Sequence, residues 1–102
     1  MVKSYPHHKV WMNGEILEPE QANVSVFSQT AMRGANVYEG LRAYRSESDG
    51  KLFVWKLDEH IERLFQSMKI MRIPSPYTPE EYKQGVLDWI HANEFEDDVH
   101  FR

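Results

Sequence analysis

Between Val37 and Leu64 the chain reads as strand, turn, strand and helix with almost no slack. Val37 to Tyr44 is a strand-like run whose large side chains include Tyr38, Leu41 and Tyr44. Gly40 interrupts it, and a glycine inside a strand often marks a bulge or a close backbone approach. The polar stretch from Ser46 to Lys51 reads as a turn, and Leu52-Phe53-Val54-Trp55 as the return strand. Asp58 then stands as the N-cap of a helix expected to run to about Arg72, because Pro74 disfavours helical geometry at Ile73. Most of the strands look antiparallel and joined by hairpins, with the long helices placed after them. This is the element pattern of an α+β domain.

The flanks agree with that reading. Asn13-Gly14 separates Val10-Trp11-Met12 from Glu15-Ile16-Leu17, and Asn-Gly between apolar runs is a strong hairpin signal because both residues tolerate positive φ. Pro19 to Asn23 is turn-like, and Val24 to Phe27 is expected as a short extended piece. Ser28 can cap a brief helix over Gln29 to Arg33 that Gly34 closes. Thr78-Pro79-Glu80-Glu81 is a capping box that opens a helix over 79–93, with Tyr82, Val86, Trp89 and Ile90 as its apolar face. In the helix over 58–72, Ile61, Leu64, Phe65, Met68 and Met71 keep the spacing of one buried face. Val99 and Phe101 alternate with His100 and Arg102 as a last strand would. Residues 1–8 read as a loose polar lead-in. The expectation is one small two-layer domain over residues 1–102, a mainly antiparallel sheet with helices on one side.

Composition closes off several functions. Of the 102 residues, 41% are hydrophobic and 13% aromatic, which suits a packed core rather than a disordered chain. The net charge of −4 argues against a nucleic-acid partner, which favours basic faces. There is no cysteine, so disulfides and thiolate metal sites are excluded. No stretch approaches the roughly 18 apolar residues of a membrane span. These features make a cytoplasmic protein the default. The histidines, His7, His8, His60, His91 and His100, lack helical metal-site spacing, so no metal is expected. Gly34 to Gly40 is not followed by Gly-Lys-Ser/Thr and is no P-loop. Trp11, Trp55 and Trp89 read as core or interface fillers.

The helix over 58–72 has a second face. At 100° per residue, His60, Arg63, Ser67 and Ile70 fall together, away from the apolar stripe. Two readings stand: a ligand-facing wall, or an ordinary exposed face with one isoleucine. Arg63 lies off the stripe, so the core does not need it. A hairpin and a helix carrying one well-placed arginine form a layout for gripping an anionic cofactor.

These residues resemble the N-terminal domain of the class IV aminotransferases, the fold-type IV pyridoxal-phosphate enzymes, and among them the branched-chain amino acid aminotransferases. The likeness rests on Trp11-Met12-Asn13-Gly14-Glu15, on Gly34 followed by Val37-Tyr38-Glu39-Gly40-Leu41-Arg42, and on Glu59-His60-Ile61-Glu62-Arg63-Leu64, with Ser67, Lys69 and Ile73-Pro74 beyond. It implies pyridoxal 5'-phosphate as cofactor, with Arg63 as the arginine on its phosphate, a role suited to an always-charged bidentate donor on a rigid helix. It implies that Tyr38, Gly40, Arg42 and Arg102 line the substrate side. Arg33 and His100 depart from the family pattern, which often has an aromatic residue and a tyrosine there.

The resemblance also implies a partner. The family's Schiff-base lysine belongs to a C-terminal domain, and none of the six lysines here has a matching context. No catalytic residue is therefore expected in this chain, and alone it should not turn over substrate. The implied activity of the complete enzyme moves an amino group from an amino acid, of branched-chain type, to a 2-oxo acid, in a homo-oligomer. The alternatives are another class IV activity (D-amino acid or (R)-amine transamination, or aminodeoxychorismate lyase chemistry) or a non-catalytic interaction or dimerisation module.

Overall fold

The computed structural model describes residues 8–102, so all of the lead-in but His8 lies outside the described residues. A first hairpin pairs β1 (Val10–Met12) with β2 (Glu15–Leu17). Asn13 at φ 54° and Gly14 at φ 83° make the tight turn, as the Asn-Gly pair requires. A short 3-10 turn over Pro19–Gln21 follows. Val24 to Phe27 is not extended. Ser28 N–H bonds Ser25 C=O at 3.0 Å and the Ser25 hydroxyl accepts from Phe27 N–H at 3.1 Å, so local bonding curls the segment into a turn. Helix α1 (Gln29–Arg33) is capped by Ser28, whose hydroxyl accepts from Ala31 N–H, and is closed by Gly34 at φ 65°.

The second sheet has the order β4-β3-β5, with β3 (Leu41–Arg45) in the centre, and is antiparallel throughout. β4 is Leu52–Val54 and β5 is Val99–Phe101. The expected strand from Val37 joins the ladder only at Leu41. Phe101 of β5 stands opposite Leu41, and β4 turns away into the next helix, so no described strand faces 37–40.

Helix α2 spans Leu57–Met71 and follows β4 after two residues. Its N-cap is Lys56, held at φ 52°, and not Asp58. Lys56 C=O accepts the first helical bond, from His60 N–H at 3.0 Å. Asp58 lies inside the first turn, where its charge suits the helix dipole, and binds Lys83 Nζ at 2.9 Å. That carboxylate raises the Lys83 pKa above its ordinary value, chiefly through the hydrogen bond. At the other end Arg72 takes φ 56°, and Ile73 N–H returns to Met68 C=O at 2.9 Å. This six-to-one bond is the Schellman closure, made here without glycine.

Helix α3 (Pro79–Asn93) carries both halves of the expected capping box: Glu81 N–H to Thr78 Oγ1 at 3.2 Å and Thr78 N–H to Glu81 Oε1 at 3.0 Å. It packs on α2 and on the first hairpin. Trp11 of β1 lies over its only buried residue, Gly85. The Tyr77 and Tyr82 rings stand 5.3 and 5.8 Å from the Trp11 ring. Trp89 packs on Phe101 of β5 with ring centroids 4.9 Å apart. Leu41, Ala43, Ile61 and Met68 form the buried apolar centre, whereas Met71, at the end of the expected stripe, is exposed. Trp11 and Trp89 are half-buried fillers, but Trp55 is exposed.

Candidate functional site

Burial alternates along the approach to β3. Tyr38, Gly40, Arg42 and Tyr44 are exposed, while Glu39, Leu41 and Ala43 are buried. Period-two alternation sends one set toward the helices and the other to the opposite face. The set turned toward the helices contains a carboxylate. The Glu39 side chain is only 8% exposed and no apolar neighbour can satisfy it.

Helix α2 supplies what it needs. His60 and Arg63 lie three residues apart, hence on one face, and both reach Glu39. Arg63 Nε–H bridges Glu39 Oε1 and Oε2 at 2.9 and 3.0 Å, and Nη2–H donates to Oε1 at 2.8 Å. His60 Nδ1 stands 2.9 Å from the same Oε1. The Arg63 hydrogen bonds hold the Glu39 carboxyl below the ordinary carboxylate range, against the opposing effect of burial, and His60 adds to them. An ionised carboxylate only accepts, so His60 Nδ1 carries the donated hydrogen. Glu39 in turn raises the Arg63 pKa, first by hydrogen bonding and then by charge.

This arrangement corrects one expectation. Arg63 is not free of the fold, because it neutralises a buried carboxylate. Yet its side chain remains 65% exposed. Nε and Nη2 face Glu39, and among the described residues Nη1 donates to no group. An arginine fork has five donors, so a second edge stays open for an anion. Pyridoxal phosphate ends in a phosphate dianion, and an ordered, half-open guanidinium fits such a group.

The other candidate residues gather on the exposed strip. The Arg102 guanidinium sits over the Tyr38 ring, 4.7 Å from its centroid, a cation–π contact. Arg42 pairs in register with His100. A Cβ added at Gly40 would meet His100 Nε2 at 3.4 Å, so the absent side chain leaves room for the imidazole. Tyr38, Glu39 and Arg102 also border a cleft of about 830 Å³, walled by Ile61, Leu64, Tyr82, Trp89 and Phe101 among others. Arg63 is not part of that cleft and joins the strip only through Glu39, the residue between Tyr38 and Gly40. Arg33 bonds Gln29 Oε1 at 3.1 Å within its own helix.

No protein-family model matches the chain. Individual proteins do. The chain is 39% identical over 92 residues to branched-chain-amino-acid aminotransferase-like protein 1 of Arabidopsis thaliana, covering 90% of this chain and 16% of that protein. It is 36% identical over 84 residues to the branched-chain-amino-acid aminotransferase of Escherichia coli K12, covering 82% of this chain and 26% of that one. Its fold superposes on the crystal structure of the Thermoproteus uzoniensis branched-chain aminotransferase with norvaline at a TM-score of 0.84. The identity there is 39%, over 91% of this chain and 31% of that one. The Thermobaculum terrenum branched-chain amino acid aminotransferase in its PLP form gives 0.80 at 32% identity, over 90% and 30% of the two chains. The chain spans less than a third of the length of each of these relatives. Over almost all of its own length it is related to the branched-chain aminotransferases, and its fold is that of the N-terminal domain of the class IV, fold-type IV enzymes.

Proposed function

We propose that this chain is the N-terminal domain of a pyridoxal-phosphate-dependent aminotransferase that moves an amino group between a branched-chain amino acid and a 2-oxo acid. One observation carries the proposal: Arg63 is anchored on one edge by buried Glu39 and open on the other. The cofactor, when bound, supplies the electron sink that amino-group transfer needs. The chain's own contribution is to bind and orient. Arg63 donates its free edge to the phosphate. Tyr38, Gly40, Arg42 and Arg102 wall the substrate side, with the Arg102–Tyr38 contact fixing two of them relative to each other.

The partner is a C-terminal domain that brings the lysine, so this chain alone is inactive. A second copy is a further partner, supported by apolar side chains left in the open: Val26 is 74% exposed and Phe27 81%. The proposed compartment is the cytoplasm, a reducing setting that a chain without cysteine fits. The test is cofactor titration of the complete enzyme. Arg63→Gln keeps a donor for Glu39 but loses the charged second edge, and should weaken cofactor binding about 30-fold or more. Unchanged affinity, with unfolding showing an intact fold, refutes the assignment.

A further inference from the structure

We propose that Glu39 is a positioning residue for the anion site: it holds the Nε edge of Arg63 so that the Nη1 edge is presented, already ordered, to the cofactor phosphate. This rests on the reading of Arg63 as the phosphate ligand and adds a residue to it. Glu39 would never touch the phosphate.

The geometry separates this role from simple charge pairing. A surface pair is held by one long side chain chasing another. Here the carboxylate is buried and His60 grips it from the same helix, at 2.9 Å on Oε1. Three donor–acceptor contacts of 2.8 to 3.0 Å then fix the plane of the guanidinium. The exposed member of the pair is therefore the one whose orientation is set by the buried member.

Two effects of Glu39 on phosphate affinity oppose each other. Its negative charge offsets the charge of Arg63 and weakens attraction for a dianion. Its grip removes rotamer freedom that the arginine would otherwise lose on binding. The guanidinium stands between Glu39 and an anion on the Nη1 edge, so that repulsion acts over a longer distance than the attraction by Arg63 and is the weaker of the two. Freezing a wholly free arginine side chain amounts to roughly 30-fold in affinity. Pre-ordering most of that freedom leaves positioning ahead, at about tenfold.

The measured quantity is the phosphate preference of the complete enzyme: its affinity for pyridoxal 5'-phosphate divided by that for pyridoxal, each read by absorbance titration. A purely structural defect lowers both affinities or the unfolding temperature and leaves the ratio unmoved. Glu39→Gln removes the charge and most of the grip. Glu39→Asp keeps the charge but withdraws the carboxylate by one methylene, and it serves if the amide variant does not fold. Both should lower the preference about tenfold, and Glu39→Gln should add nothing in an Arg63→Gln background. A preference that is unchanged or raised in the Glu39 variants overturns the proposal, as does a full additional loss on top of Arg63→Gln. If Arg63→Gln itself leaves the preference intact, the phosphate reading fails and the positioning role falls with it. If Arg63→Gln abolishes the preference while both Glu39 variants keep it, only the positioning role fails.

Discussion

Gly85→Ala tests the packing of the hairpin on α3. An exposed helical glycine gains about 0.8–1.0 kcal/mol when replaced by alanine. Gly85 is buried, and a Cβ there would stand 2.9 Å from both Cε2 and Nε1 of Trp11. Carbon contacts are comfortable at about 3.5–4.0 Å, so the indole would have to retreat by about 0.6 Å or more. That movement would disturb its packing on the Tyr77 and Tyr82 rings, at 5.3 and 5.8 Å. Overpacking of this kind costs about 1–3 kcal/mol, which exceeds the propensity gain and leaves a net loss of about 1 kcal/mol. For a domain of this size that lowers Tm by about 4–8 °C. Urea or thermal unfolding followed by tryptophan fluorescence reads it. The decisive comparison is the same substitution in a Trp11→Leu background. With the indole gone the sign should reverse, and alanine should stabilise by about 0.8–1.0 kcal/mol. Stabilisation in the presence of Trp11, or an equal effect in both backgrounds, would refute the packing argument.

Two further outcomes follow from single groups. Glu39 has a folded-state pKa below its ordinary 4.5, so its stabilisation is complete above that value and is lost as pH falls from about 4.5 through the lower folded value. Unfolding midpoints measured down this range should drop less steeply in Glu39→Gln than in the parent. Thr78→Ala removes the hydroxyl that accepts from Glu81 N–H at 3.2 Å and should cost about 1 kcal/mol, whereas Thr78→Ser should retain most of it. Amide exchange at Glu80 to Tyr82 should quicken in the alanine variant alone.

What the sequence made legible was local. Asn13-Gly14, the Ser28 and Gly34 caps and the Thr78–Glu81 box each act within four residues, so residue type alone names the geometry. The start of α2 was misplaced because a good capping residue, Asp58, stood two residues past the true cap, Lys56. The left-handed Lys56 that makes the corner has no preference for that conformation. The expected strand from Val37 was too long in its ladder, since pairing depends on where β5 and β4 run out. At the site, the helix wheel had already grouped His60 with Arg63. Glu39 was missed because its meaning comes from partners 21 and 24 residues away. The signal existed: a carboxylate in the apolar phase of an alternating run, opposite a helix face bearing a histidine and an arginine.

That alternation makes the site a matter of parity. Tyr38 and Gly40 belong to one side of a single backbone and Glu39 to the other. Deleting one residue between Gly34 and Tyr38 can be absorbed upstream, where α1 has already closed. Deleting Leu41 cannot, because the ladder on both edges of β3 pins the register that follows it. The upstream residues would then arrive with even and odd exchanged. The carboxylate would emerge on the exposed strip, the Tyr38 ring would turn toward α2, and Arg63 would lose its anchor, although no functional residue had been removed. In this stretch the counting of residues is under tighter constraint than the identity of several of them.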